Sequence, residues 1–97
     1  MMKYLIIDAC PNGTGIRDYY EGGYIVPENL NLSVAIISNL KEWLLEYENE
    51  FYNGYSDNDL LSKLDKRGKE IALTIKKELV NTKIEYFSDA KLTKEII

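Results

Sequence analysis

The sequence predicts a small α/β (α+β) domain: a β-sheet of about three strands with two helices packed on one face, in the order β-β-α-α-β. Three observations predict it. Two long stretches carry apolar residues at helical spacing. Short apolar runs at residues 4–7, 24–26 and around 84–86 are bounded by Pro, Asp, Asn or Thr, as strands are. The chain has 97 residues and is 45% apolar, enough for one modest core and no second one, so 1–97 reads as a single domain.

Tyr4 to Ile7 meets Asp8 and then Pro11, which suits a short buried strand. Pro11 to Gly23 is rich in Gly, Asn and Asp and reads as a loop. Tyr24-Ile25-Val26 is the second strand candidate, stopped by Pro27. Ser33 or Asn31 then caps a helix running to about Phe51, closed by Gly54. Trp43, Ile36, Tyr47, Leu40, Phe51, Leu44 and Ile37 share one arc of about 120° and must face the core. One of Ser56, Asp57, Asn58 and Asp59 caps a second helix that reaches about Val80. Its apolar positions are Leu60, Leu64, Ile71, Ile75 and Leu79, with Gly68 on the same arc. A glycine inside a helix costs about 1 kcal/mol against alanine. It either admits close packing against the first helix or marks a later helix start near Asp65; one continuous helix is the expectation. Residues 81–89 read as a turn and a strand with Ile84 and Tyr86 on one face. Residues 89–97 suit a short helix or a strand equally.

The composition excludes much chemistry. The chain has no histidine and one cysteine. Ser-His-Asp and Cys-His catalysis, zinc sites of Cys/His type and internal disulfides are therefore impossible within it. The apolar start of the chain is too short for a secretory signal, and no run is long enough to span a bilayer. A cytoplasmic protein without a cofactor is the expectation. The net charge of −4 divides unevenly: residues 1–60 carry ten acids and three bases, and residues 61–97 carry six acids and nine bases. Such a chain repels nucleic acid and attracts basic partners.

Two loops invite a catalytic reading. Cys10 and Arg17 bracket a glycine-containing turn, as in cysteine-dependent phosphatases. Six residues, Pro11 to Ile16, separate them, one more than that loop holds. Pro11 removes an N–H donor, and Gly22, Gly23 and Pro27 prevent the following helix. The expectation is a turn with Cys10 as a small buried residue and Arg17 pairing internally with Asp18, Glu21 or a helix acid. Asp57-Asn58-Asp59 resembles the start of a calcium loop, but its sixth and twelfth positions hold Ser62 and Gly68. It reads as a helix cap. The bases Lys63, Lys66, Arg67, Lys69, Lys76 and Lys77 are mixed with Asp65, Glu70 and Glu78 and read as a solvated helix face.

The acids of the first helix differ. Glu42, Glu46 and Glu50 form one stripe at i, i+4 and i+8, with no base among their neighbours on that face. Each like-charge pair costs roughly 0.2–0.5 kcal/mol. Tyr52, Tyr55, Asp57 and Asp59 adjoin the stripe in sequence. The first loop repeats the mixture with Asp18, Tyr19, Tyr20 and Glu21. Tyrosines among acids suit a surface that docks on a basic protein.

The order of these signals, "GIRDYYEGGYIVPENLNLS", then "LKEWLLEYE", then "GKEIALTIKKEL" and "IEYF", resembles that of small bacterial proteins associated with toxin–immunity loci. The resemblance covers most of the chain and implies an immunity protein of a contact-dependent growth-inhibition or similar polymorphic toxin system. Such proteins are not enzymes; they bind and block one cognate toxin domain, often a basic nuclease. The alternatives are a small acidic adaptor or regulatory subunit and, last, an enzyme using Cys10 and Arg17. Nucleic acid and membrane are not expected partners.

Overall fold

A computed structural model describes residues 3–97. Its elements are β1 (Lys3–Ile7), β2 (Ile16–Asp18), a 3-10 turn (Pro27–Asn29), α1 (Val34–Tyr52), α2 (Asn58–Glu78), β3 (Thr82–Ser88) and β4 (Thr93–Ile96). The strands form one mixed sheet in the order β2-β1-β3-β4. β1 and β3 are parallel, with Leu5 beside Ile84 and Ile7 beside Tyr86. β2 and β4 pair antiparallel at the two edges. The fold is thus α+β with two helices, as the sequence predicts, and one strand more.

The extra strand is β4, which resolves the ambiguous tail. The second strand is also placed differently. Ile16-Arg17-Asp18 pairs with β1, while Tyr24 makes a single bridge to Arg17. The physical reason lies in the turn between them. Asp18 Oδ1 accepts the N–H of Tyr20 at 2.9 Å and that of Glu21 at 3.4 Å. Gly22, at φ +78°, lets the chain reverse so that the Asp18 N–H reaches the Gly23 carbonyl at 2.9 Å. Three residues are too short to show alternation, so a loop composition hides the strand.

Both helices are capped as expected. Ser33 Oγ accepts the Ile36 N–H, and the Asp57 side chain accepts the Leu60 N–H. Ile36, Leu40, Trp43 and Tyr47 of α1 are buried against Leu61, Leu64, Ile71 and Ile75 of α2 and Leu5, Ile7, Ile84 and Tyr86 of the sheet. Two expected core residues lie outside: Phe51 is 42% and Leu60 38% exposed. Both lie where α1 ends and α2 begins, in the outermost turns of the helical hairpin. Phe51 instead meets the rings of Tyr52 and Tyr55 edge-on.

α2 is continuous, and Gly68 is a packing residue. A Cβ there would lie 2.7 Å from Trp43 Cζ2 and 2.8 Å from Tyr86 Cζ. Asp65, one turn earlier, is a departure from the expected solvated face: it is 5% exposed. Its carboxylate accepts the hydroxyls of Tyr47 at 2.9 Å, Tyr86 at 2.6 Å and Ser88 at 2.8 Å. Burial pushes the Tyr47 phenol up to about 12 and the Tyr86 phenol higher still, so both remain donors at any physiological pH. Asp65 does not pair with Lys69, four residues on, nor Lys66 with Glu70, among the described residues; Lys69 pairs with Glu95 at 3.3 Å, and Lys91 Nζ lies 3.8 Å from Asp65.

In an exposed helix, glycine to alanine gains about 1 kcal/mol. At position 68 two rigid rings occupy the space, and overpacking costs roughly 1–3 kcal/mol. Gly68→Ala is expected to lower the urea midpoint of unfolding, and a raised midpoint would contradict the packing described.

Candidate protein-binding surface

The end of β1 holds the cysteine–arginine turn. Asp8 is fully buried, and its Oδ2 lies 2.7 Å from Arg17 Nη2. Asp8 Oδ1 accepts the Tyr24 hydroxyl at 3.0 Å and the Cys10 N–H at 3.4 Å. Arg17 therefore pairs with Asp8, not with Asp18, Glu21 or a helix acid. β2 carries its side chain to the sheet face that Asp8 also uses, whereas Asp18 alternates to the other face. Cys10 is half-buried rather than buried. A guanidinium held by a buried carboxylate is not free to clamp a phosphate, and the turn feeds a strand instead of a helix. The phosphate cradle is absent on geometry as well as on count.

The acidic stripe of α1 is largely answered from within. Arg67 of α2 reaches across to Glu46, lies 3.5 Å from a Glu42 oxygen and donates to Asn39 Oδ1 at 2.9 Å. The expectation of an unbalanced stripe fails because the balancing base comes from the neighbouring helix. Glu50 turns into the groove between the helices, among Leu60, Lys63 and Leu64, and is 8% exposed. Tyr55 is half-buried: it packs on Tyr47, and its hydroxyl donates to Asp89 at 2.5 Å. Burial and the Asp89 carboxylate push its phenol upward. Asp57 is occupied as the α2 cap. Of this group, Tyr52 (70% exposed) and Asp59 remain free at the helix tip.

The first loop keeps its side chains outward. Tyr19 is 50% and Tyr20 66% exposed. The Tyr19 ring stacks on Tyr4 at 4.0 Å and 11°, and Tyr20 meets both rings edge-on at 6.0 and 5.6 Å. Lys83 Nζ lies 4.7 Å from the Tyr4 ring centre, and Tyr4 Oη donates to Glu85 at 3.1 Å. Burial, then the Glu85 bond, pushes the Tyr4 phenol upward. Asp18 and Glu21 border the ring cluster, and neither forms an ion pair among the described residues. Tyr4 joins this cluster against expectation: the apolar run Tyr4–Ile7 reads as buried strand, yet Tyr4 alternates with buried Leu5 onto the face without helices.

The two expected groups do not meet. Tyr4 opens β1, and Asp89, the partner of Tyr55, follows β3; because the strands are parallel, these mark opposite ends of the sheet. Among the described residues no cluster of acids and cysteine is arranged to hold a metal ion, and no helix is long and apolar enough to cross a membrane. The chain matches no known family, no characterised protein and no solved structure.

The Asp8–Arg17 pair makes stability depend on pH. Burial raises the Asp8 carboxyl above its ordinary value, while Arg17 and then Tyr24 pull it down. The folded chain thus holds that proton more tightly than the unfolded chain. This contribution is favourable at low pH and is lost as pH rises through the raised value. Arg17→Leu removes the main downward pull, so the loss deepens and extends to higher pH. Breaking a buried pair costs roughly 3–5 kcal/mol, and Arg17 is partly solvated, so about 3 kcal/mol is expected at pH 7 and about 1 near pH 4. Urea unfolding at the two pH values measures the difference; an equal cost at both would contradict it.

Proposed function

We propose that this chain is a non-enzymatic binding protein of the immunity type, which neutralises a basic toxin domain, such as a nuclease, by covering it. The observation that carries the reading is the exposed Tyr4–Tyr19–Tyr20 ring cluster bordered by the unpaired carboxylates of Asp18 and Glu21. Large rigid rings supply contact area at little entropic cost, and the acids steer a basic partner into place. Arg17 bound to Asp8 supports a binding role over a catalytic one, since the one candidate nucleophile has no free cation beside it. The acidic stripe of α1 is secondary, because Arg67 already occupies Glu42 and Glu46.

Co-expression with the toxin domain encoded beside it is the test. The chain is expected to rescue cells and to co-purify with that domain; failure of both refutes the proposal. Tyr20→Ala is expected to weaken the complex about 30-fold, the roughly 2 kcal/mol of a binding hot spot. Glu46→Lys is expected to leave affinity within about threefold, as a paired surface charge contributes little. The opposite ranking would move the interface to the helices.

A further inference from the structure

We propose that the cleft beside Tyr20 receives a lysine or arginine side chain of the protein partner, its methylene stem on the apolar lining and its cation between Asp18 and Glu21. This rests on the reading of the chain as a binder of basic domains and names the group recognised. The cleft has a volume of about 720 Å³ and runs between the start of β1, the β2 turn and the 3-10 turn. Leu5, Ile25 and Leu30 supply its apolar lining, and Tyr4 and Tyr20 line it too, Tyr20 as the exposed ring. Asp18 and Glu21 are also among the residues that line it.

Each part suits a long cationic side chain. Such side chains lay their methylenes on apolar surface and keep the charged head at the rim. The exposed Tyr20 ring can attract the cation through its face, whereas the Tyr4 ring is taken by Tyr19 and Lys83. Asp18 spends Oδ1 on the Tyr20 and Glu21 N–H groups, which fixes the carboxylate and leaves Oδ2 unbonded among the described residues. Lys3 also lines the cleft, yet it pairs with neither acid, so among the described residues two acids and one lysine line it. The charge balance therefore favours a cation over an anion. The space exceeds one side chain, so the basic residue enters with an apolar neighbour from the same partner loop.

The probe is N-acetyl-Leu-Arg-amide, titrated into the full chain and followed by ¹⁵N–¹H NMR. The citrulline and glutamate counterparts serve as uncharged and anionic controls. The arginine amide is expected to shift the Tyr20, Glu21 and Ile25 signals saturably and to bind about fivefold more tightly than the citrulline amide. Asp18→Asn with Glu21→Gln should bring the two within about twofold; Asn keeps the acceptor that orders the turn, and Glu21 is exposed, so the fold is retained. Equal binding of the citrulline amide, preference for the glutamate amide through Lys3, shifts confined to other residues, or no shifts at all would each overturn the assignment. A chain that rescues cells from its toxin while ignoring the arginine amide would refute the cleft and keep the function. A cleft that takes the amide in a chain with no toxin partner would refute the function and keep the cleft.

Discussion

The buried carboxylate of Asp65 ties the molecule together. It sits on α2 and takes hydroxyl hydrogens from α1 through Tyr47 and from β3 through Tyr86 and Ser88. A buried carboxyl is tolerated when it is hydrogen-bonded or paired; here three hydroxyls donate to it, and Lys91 Nζ lies 3.8 Å from its Oδ2. Tyr47 in turn accepts the Ala90 N–H at 3.2 Å, which anchors the chain as it leaves β3. A further bond, Trp43 Nε1 to the Leu64 carbonyl at 2.8 Å, fixes the helices against each other one residue before Asp65. Apolar contact alone would permit the helices to slide; a carboxylate that needs three hydroxyls permits one register. Gly68 follows from this, because the Tyr86 ring that serves Asp65 and the Trp43 ring that bonds Leu64 occupy the space of its missing side chain.

That inward commitment shapes the outside. Tyr47, Tyr55 and Tyr86 spend their hydroxyls on acids within the fold, whereas Tyr19 and Tyr20 spend none on protein groups among the described bonds. The helical layer balances its charges through Arg67. The sheet face without helices carries Tyr4, Ile6, Arg17, Lys83, Glu85 and Phe87, and at its β1–β2 corner the rings stand clear. One cluster of exposed rings therefore lies where β1 begins and the β2 turn passes it. Acidity by count and acidity by availability differ, and the second decides what a partner meets.

Much of the fold was legible in the sequence because helices of 19 and 21 residues repeat their apolar spacing often enough to be read. Caps at Ser33 and Asp57 and the strand face of Ile84 and Tyr86 were legible for the same local reasons. What was not legible depends on partners distant in sequence. Asp65 looks like its solvated neighbours until Tyr47 and Tyr86 are placed beside it. Arg67 looks like a surface base until α1 lies against α2. β2 is three residues long and owes its existence to β1. The candidate surface was half legible: Tyr19 and Tyr20 announced themselves among acids, while Tyr4 was concealed in an apolar run.

The parallel pairing of β1 with β3 also governs how the chain comes into being. Lys3 lies beside Thr82, so the central seam of the sheet joins segments 79 positions apart in a chain of 97. Closing so large a loop costs entropy before any contact repays it, and folding slows as such distant pairings dominate. During synthesis, Leu5 and Ile7 must wait for their β3 partners until residues 82–88 have left the ribosome. The helical hairpin, whose contacts are local, is free to form first and to offer them a provisional surface. A strand made late is thus the one that locks the first, and the local ring cluster of Tyr4, Tyr19 and Tyr20 gains its fixed place in the sheet only then.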